Sequence, residues 1–204
     1  MQLLHVDSSI TGTQSVSRQL TAEIVAKLRQ VTPDLDITYR DLAAEPVPHL
    51  SGSILAARRP AAGQPSAEVE QDLVLSAKAL DEFLAADIVV IGAPMYNFGV
   101  PSQLKAWIDC LAVSGKIFRY TETGVEGLAG GKRVIIASSR GGFYAGSSPM
   151  ASLDHQEAYL SGFFGFLGVT DIAFVRAEGV NISPEQRQRG IDSALAEVAA
   201  LKAA

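Results

Sequence analysis

The sequence predicts an α/β fold, a three-layer α/β/α sandwich around a five-stranded parallel sheet. Three observations predict it. Short runs of branched and aromatic residues alternate with longer stretches of helical spacing, as in right-handed βαβ units. The chain has 204 residues, which fits one domain. Hydrophobic residues make up 48% of it, enough to bury a sizeable core. The expectation is a single domain over residues 1–204 with the doubly wound strand order 2-1-3-4-5.

Each element has its own signal. The run Leu3–Val6 predicts the first strand, and 17–31 a helix. Leu35–Tyr39 is rich in branched and aromatic residues and predicts the second strand. Val69, Leu73, Ala77, Leu80 and Leu84 recur at helical spacing and predict a helix over 68–86. The apolar run Ile88–Ile91 predicts the third strand, and a helix follows from Gln103 to Leu111. Val134–Ala137 predicts the fourth strand, 155–167 a helix, 172–175 the fifth strand and 184–202 the last helix. Two stretches interrupt the rhythm. Residues 43–66, rich in Ala, Pro and Gly and including Arg58-Arg59-Pro60, predict a long excursion with some short helix. Residues 118–128 predict a hairpin or lid over the sheet edge.

Composition narrows the function. A net charge of −5 gives no global positive field for nucleic acid or an anionic membrane. No apolar segment approaches the roughly 20 residues needed to span a bilayer. The first residues lack the basic head and cleavage site of a signal peptide, so a cytoplasmic location is expected. The one cysteine, Cys110, excludes an intrachain disulfide. It falls inside a predicted helix without a Cys-x₅-Arg pattern and reads as a buried structural thiol. His5, His49 and His155 are far apart, so no metal site is expected. No Gly-x-Ser-x-Gly elbow marks a serine hydrolase.

Chemistry gathers in the loops that follow strands. Ser8-Ser9-Ile10-Thr11-Gly12-Thr13-Gln14-Ser15-Val16-Ser17 is dense in hydroxyls and runs into a helix. Free N–H groups at a helix start, with hydroxyls around them, suit a phosphate monoester without a metal. A plain capped turn is the bland reading. This loop has neither the Walker nor the Gly-x-Gly-x-x-Gly pattern. Met95-Tyr96-Asn97-Phe98 puts apolar and aromatic side chains where turns usually carry small polar residues. It suggests a surface for something flat. Ser139-Arg140-Gly141-Gly142 pairs two glycines that let the backbone pass close to a ligand, or merely turn; Arg140 equally suits a surface ion pair. The three loops emerge on one edge of a doubly wound sheet. A flat heterocycle with a phosphate tail would satisfy all three, and flavin mononucleotide (FMN) is the obvious candidate.

On these residues the chain resembles the FMN-dependent NADH:quinone oxidoreductases, also called azoreductases. The resemblance covers nearly the whole chain. It rests on Ser8-Ser9-Ile10 with Ser15-Val16-Ser17, on Pro94-Met95-Tyr96-Asn97-Phe98 and Gln103-Leu104-Lys105, on Phe118-Arg119-Tyr120-Thr121, and on Ser139-Arg140-Gly141-Gly142. It implies a flavodoxin-like fold and a homodimer with both sites at its interface. Ser9, Ser15, Val16 and Ser17 would hold the FMN phosphate. Met95, Tyr96, Asn97 and Phe98 would line the ribityl chain and ring, and Ser139, Arg140, Gly141 and Gly142 would close the other side. Phe118, Tyr120 and Phe163 would cover the substrate pocket, the first two reaching across the dimer or acting in their own chain. Val16 stands where a polar glutamine is common in that family, which leaves its backbone N–H for the phosphate. The implied reaction is ping-pong: NADH gives a hydride to the flavin, which then reduces a quinone or azo compound by two electrons. No side-chain catalyst is needed for that step. The alternatives are a flavodoxin-like carrier of single electrons, an acyl-carrier-protein phosphodiesterase and a flavin-free binding module. The mild acidity argues against the first, and the missing metal ligands and nucleophile against the second.

Overall fold

The computed structural model describes residues 1–59 and 63–202. In chain order the elements are β1 (Gln2–Asp7), α1 (Val16–Val31), β2 (Asp36–Asp41), α2 (Gly52–Ala57), α3 (Ala67–Ala85), β3 (Ile88–Pro94) and α4 (Ser102–Leu111). Then come β4 (Phe118–Thr121), β5 (Gly124–Gly127), β6 (Arg133–Ser139), α5 (His155–Phe166), β7 (Asp171–Ala177) and α6 (Pro184–Ala199). Short 3₁₀ turns precede α1 at Gly12–Gln14 and α5 at Ala151–Leu153. The parallel strands lie in the order β2-β1-β3-β6-β7. With the small β4–β5 hairpin left out of the count, this is the expected 2-1-3-4-5.

The strands read as continuous apolar runs because helices cover both faces. Along β3 every residue is buried. Side chains alternate between the faces with the period of two that a strand dictates. Leu4, Val6, Val89, Ile91, Val134 and Ile136 join one core, with Phe83 from α3, Trp107 from α4 and Phe164 from α5. Leu3, Ile88, Val90, Ile135 and Ala137 join the other, with Leu20 and Ile24 from α1 and Ile191 and Ala194 from α6. In α1 the buried set Val16, Leu20, Ile24 and Leu28 recurs every four residues, which puts one stripe on the sheet.

Several expectations needed adjustment. The last helix ends at Ala199, and Leu201 and Lys202 are not helical. The excursion over 43–66 does hold a short helix, α2, capped by Ser51; its residues 60–62, Pro60 included, lie outside the described residues. The hairpin at 118–128 forms as β4–β5, with Phe118 opposite Gly127. It is tied to the end of α5: the Ala129 N–H donates to the Leu167 carbonyl, and a Cβ on Gly127 would lie 2.2 Å from the Gly168 nitrogen. Since α5 runs antiparallel to the strands, that end is remote from the rim where the strands finish. Cys110 is buried, with its thiol 3.5 Å from Ser76 Oγ, and burial pushes its pKa up.

Candidate functional site

All five parallel strands finish at one rim, so the loops after β1, β3, β6 and β7 meet there. They enclose a cavity of about 550 Å³. Its wall includes Ser9, Ser15 and Val16 from the first loop, Met95 and Tyr96 from the second, and Ser139 and Gly141 from the third. Seven of the residues singled out by sequence therefore share one cavity.

The first loop is organised around the start of α1. Ser15 caps the helix, its Oγ accepting from the Arg18 N–H at 3.3 Å. That leaves the N–H of Val16 without an acceptor among the described residues, on the cavity wall and at the positive end of the helix. Ser17 stands just behind the wall, fully buried, with its Oγ 3.0 Å from Ser15 Oγ. Under the loop, Arg18 donates Nε and Nη2 to the Ser9 carbonyl at 3.2 and 2.8 Å and pairs with both carboxylate oxygens of Asp41 at 2.7 Å. This pair holds Asp41 below the usual carboxylate range. Asp7 lies below it, accepting from Thr21 at 2.9 Å and Tyr39 at 3.0 Å, and burial first, then Asp7, pushes the Tyr39 phenol up to about 12. His5 packs edge-on against Tyr39, as a packed strand histidine should.

The second loop is a tight reversal. Tyr96 and Gly99 exchange N–H···O bonds at 3.1 and 3.0 Å across Asn97 and Phe98, which take φ of +49° and +70°. Both central residues are left-handed, the geometry of a type I′ turn. The turn is held from two sides: Tyr96 Oη lies 3.3 Å from Ser9 Oγ, and the Phe98 carbonyl accepts from the His155 N–H at the start of α5. Asn97 and Phe98 form the exposed lip beyond the wall, with Phe98 edge-on to Tyr144 at 6.2 Å.

The third loop brings backbone to the cavity. The N–H groups of Gly141 and Gly142 donate to no acceptor among the described residues. A Cβ on Gly141 would lie 2.9 Å from Asn181 Nδ2, so a larger residue there would have to displace the Asn181 amide. Arg140 is not the surface residue its sequence allowed. It is fully buried against Asp154, Glu157 and Glu178, and Glu178 also accepts from the Tyr144 and Ala145 N–H groups. Its guanidinium holds the loop from behind.

The three pocket-cover aromatics stand elsewhere. Phe118 is buried beneath the hairpin against Phe166, Tyr120 is 73% exposed, and Phe163 stacks on Tyr159 along α5. None of them lines the cavity in this chain. Conversely, Thr11, Thr13, Gln14 and Pro94 belonged to motifs read from the sequence but were given no role of their own, and Gln19, Val180, Asn181 and Arg187 were passed over. Val180 and Asn181 belong to the loop after β7, and the rim rule that exposed the other three loops would have found it. Arg187 lies within a helix, and nothing local marks it.

The wall fits a phosphate-tailed planar ligand. It offers an unpaired amide at a helix start, hydroxyls beside it, a thioether and a phenol from the second loop, and the Gly141 amide from the third. Among the described residues no group of His, Cys, Asp or Glu could hold a metal ion. No helix among them is long and apolar enough to cross a membrane.

Known proteins share this architecture. A family model described as a flavodoxin-like fold matches residues 1–201. An FMN-dependent NADH:quinone oxidoreductase of Methylocella silvestris is 56% identical over 204 residues, the whole of both chains. A crystal structure of an azoreductase from Bacillus anthracis superposes with a TM-score of 0.90 at 30% identity, over 98% of this chain and 97% of that one. An FMN-dependent NADH-azoreductase from the same species, in complex with FMN, gives 0.88 at 25% identity, over 98% and 97%.

Proposed function

The chain belongs to the flavodoxin-like family of FMN-dependent NADH:quinone oxidoreductases, and from that premise we propose that the rim cavity holds FMN and reduces quinones and azo compounds at the expense of NADH. The observation that carries the reading is the convergence of an unpaired helix-start amide, at Val16, and an unpaired glycine amide, at Gly141, on the wall of one cavity, with the unpaired amide of Gly142 next in the chain. A carrier of single electrons fits less well, since the relative at 56% identity is named an FMN-dependent NADH:quinone oxidoreductase.

When bound, FMN supplies the two-electron chemistry. The chain supplies the setting. Ser9, Ser15, Val16 and Ser17 hold the phosphate through hydroxyls and amides, with the α1 dipole behind them. Met95, Tyr96, Asn97 and Phe98 support the ribityl chain and one side of the ring. Ser139, Arg140, Gly141 and Gly142 form the other side, Arg140 through its backbone alone. The amides of Asn97, Gly141 and Gly142 would be the hydrogen-bond donors available to the ring. No side chain is required to move a proton.

We further propose that the protein is a homodimer in which Phe118, Tyr120 and Phe163 cover the cavity of the other protomer. Their distance from the cavity in their own chain supports this. So does the apolar cavity of about 430 Å³ beside the lip, lined by Gly99, Val100, Lys105, His155 and Tyr159. Light scattering of the purified protein checks the dimer. A cytoplasmic location, where NADH is supplied, follows from the same reading and is checked by fractionation.

The reaction is tested by initial velocities of the FMN-loaded protein with NADH and a benzoquinone. One shared pocket predicts parallel double-reciprocal lines. Intersecting lines would exclude it.

A further inference from the structure

The rim cavity has one cationic side chain on its wall among the described residues, and it comes from an unexpected place. Arg187 lies in the first turns of α6, 173 residues from the loop it touches. Its Nη2 donates to the Gln14 carbonyl at 3.0 Å and its Nη1 to the Val180 carbonyl at 3.4 Å. Gln14 immediately precedes the cap of α1, and Val180 belongs to the loop after β7. The guanidinium thus straps the last loop to the phosphate end of the cavity.

Two features make this more than a tie. Arg187 has no carboxylate within 4.0 Å among the described residues, unlike Arg18, Arg40, Arg140 and Arg176, each of which is ion-paired. Its charge is therefore not neutralised locally. Its two contacts also use only part of the guanidinium's five N–H donors. The position is fixed by a firm helix start, in which Ser183 Oγ accepts from the Gln186 N–H at 3.1 Å and the Ser183 carbonyl from the Arg187 N–H at 2.9 Å.

We propose that Arg187 is a specificity-determining residue that makes the cavity prefer the phosphorylated flavin, FMN, over its neutral parent riboflavin. This rests on the reading that the cavity holds FMN. Hydroxyls and amides can bind a phosphate, but they are dipoles; Arg187 adds a whole positive charge beside them. A charge at a partly exposed site acts through distances comparable to the Debye length, so its contribution weakens with salt. Charge-assisted hydrogen bonds to a phosphate oxygen add directionality.

The test is flavin binding, read by fluorescence quenching, for wild type, Arg187→Gln and Arg187→Lys. FMN and riboflavin are each titrated at about 0.01 M and about 0.15 M salt. Arg187→Gln is expected to weaken FMN about tenfold at low salt, less at high salt, and to leave riboflavin unchanged; a tenfold change matches the loss of one charged contact. Arg187→Lys is expected to recover most of the preference, because it restores the charge. Inorganic phosphate is expected to compete with FMN more weakly in Arg187→Gln than in wild type. Equal weakening of both flavins would make Arg187 a purely structural strap and overturn the assignment. Unchanged FMN affinity would overturn it as well. Wild-type protein that binds neither flavin would overturn both the assignment and the reading beneath it.

Discussion

Phe98 carries a φ of +70° on a bulky side chain, beside Asn97 at +49°. Asparagine tolerates the left-handed region; phenylalanine does not, and the cost is about 1–2 kcal/mol. Such strain persists where the surroundings overdetermine it, and here Tyr96, Gly99 and His155 pin the turn. Phe98→Gly is expected to relieve about 1–2 kcal/mol of backbone strain, offset by glycine's greater unfolded-state entropy and the lost contact with Tyr144, leaving the flavin-free protein within about 1 kcal/mol of wild type. It should also lower turnover of NADH, since the aromatic lip is lost. Urea denaturation and initial rates check the two halves. Arg140 makes the opposite case. Removing the guanidinium leaves Asp154, Glu157 and Glu178 facing one another, and Arg140→Met is expected to cost about 3–5 kcal/mol by urea denaturation. That role was not legible in the sequence. Ser-Arg-Gly-Gly shows a turn, but its three acidic partners lie 14 to 38 residues away and only the fold assembles them. Tyr159 gives a pH signature. Burial, with Asp109 second, pushes its phenol up to about 12. The unfolded chain ionises near the ordinary value of 10, so folding keeps the neutral form. Stability from this group is complete below pH 10 and is lost as pH rises toward 12. Tyr159→Phe is expected to flatten that alkaline decline, measured as denaturation midpoints between pH 9 and pH 12.

At the scale of elements, the start of α1 is the part the function leans on most. Ser15 both caps the helix and meets the cavity. Ser15→Ala is expected to cost about 1 kcal/mol of stability and to weaken FMN binding, seen by thermal melts and flavin fluorescence. A capping role alone would move only the melt. This element was legible because hydroxyl-rich residues stood directly before an apolar period of four. The five strands were legible for a similar reason: buried on both faces, they appear as unbroken Val, Ile and Leu runs. The hairpin's existence was legible, but its seat against the end of α5 was not. That seat depends on two glycine backbones, at Gly127 and Gly168, approaching too closely for any Cβ. The end of α6 was overrun for want of a stop signal, since Ala200, Leu201 and Lys202 all favour helix.

At the scale of the molecule, two apolar cores flank one sheet, and the order in which the strands lie decides what the rim can do. The central strands β1, β3 and β6 deliver the phosphate loop, the aromatic loop and the glycine loop side by side. The order 2-1-3-4-5 was an expectation from size and alternation; the crowding of four loops around one cavity is its consequence. The helix residue Arg187 entered the cavity only through that crowding, which explains why no local motif announced it. The central claim is that this rim binds FMN by its phosphate at α1 and by its ring between the second and third loops. The most direct measurement is the crystal structure of the protein grown with FMN. The account predicts flavin in the rim cavity, its phosphate oxygens within hydrogen-bond distance of the Val16 N–H and Ser15 Oγ, and its ring beside Met95 and Gly141. Flavin bound elsewhere, or a phosphate remote from the start of α1, would contradict it.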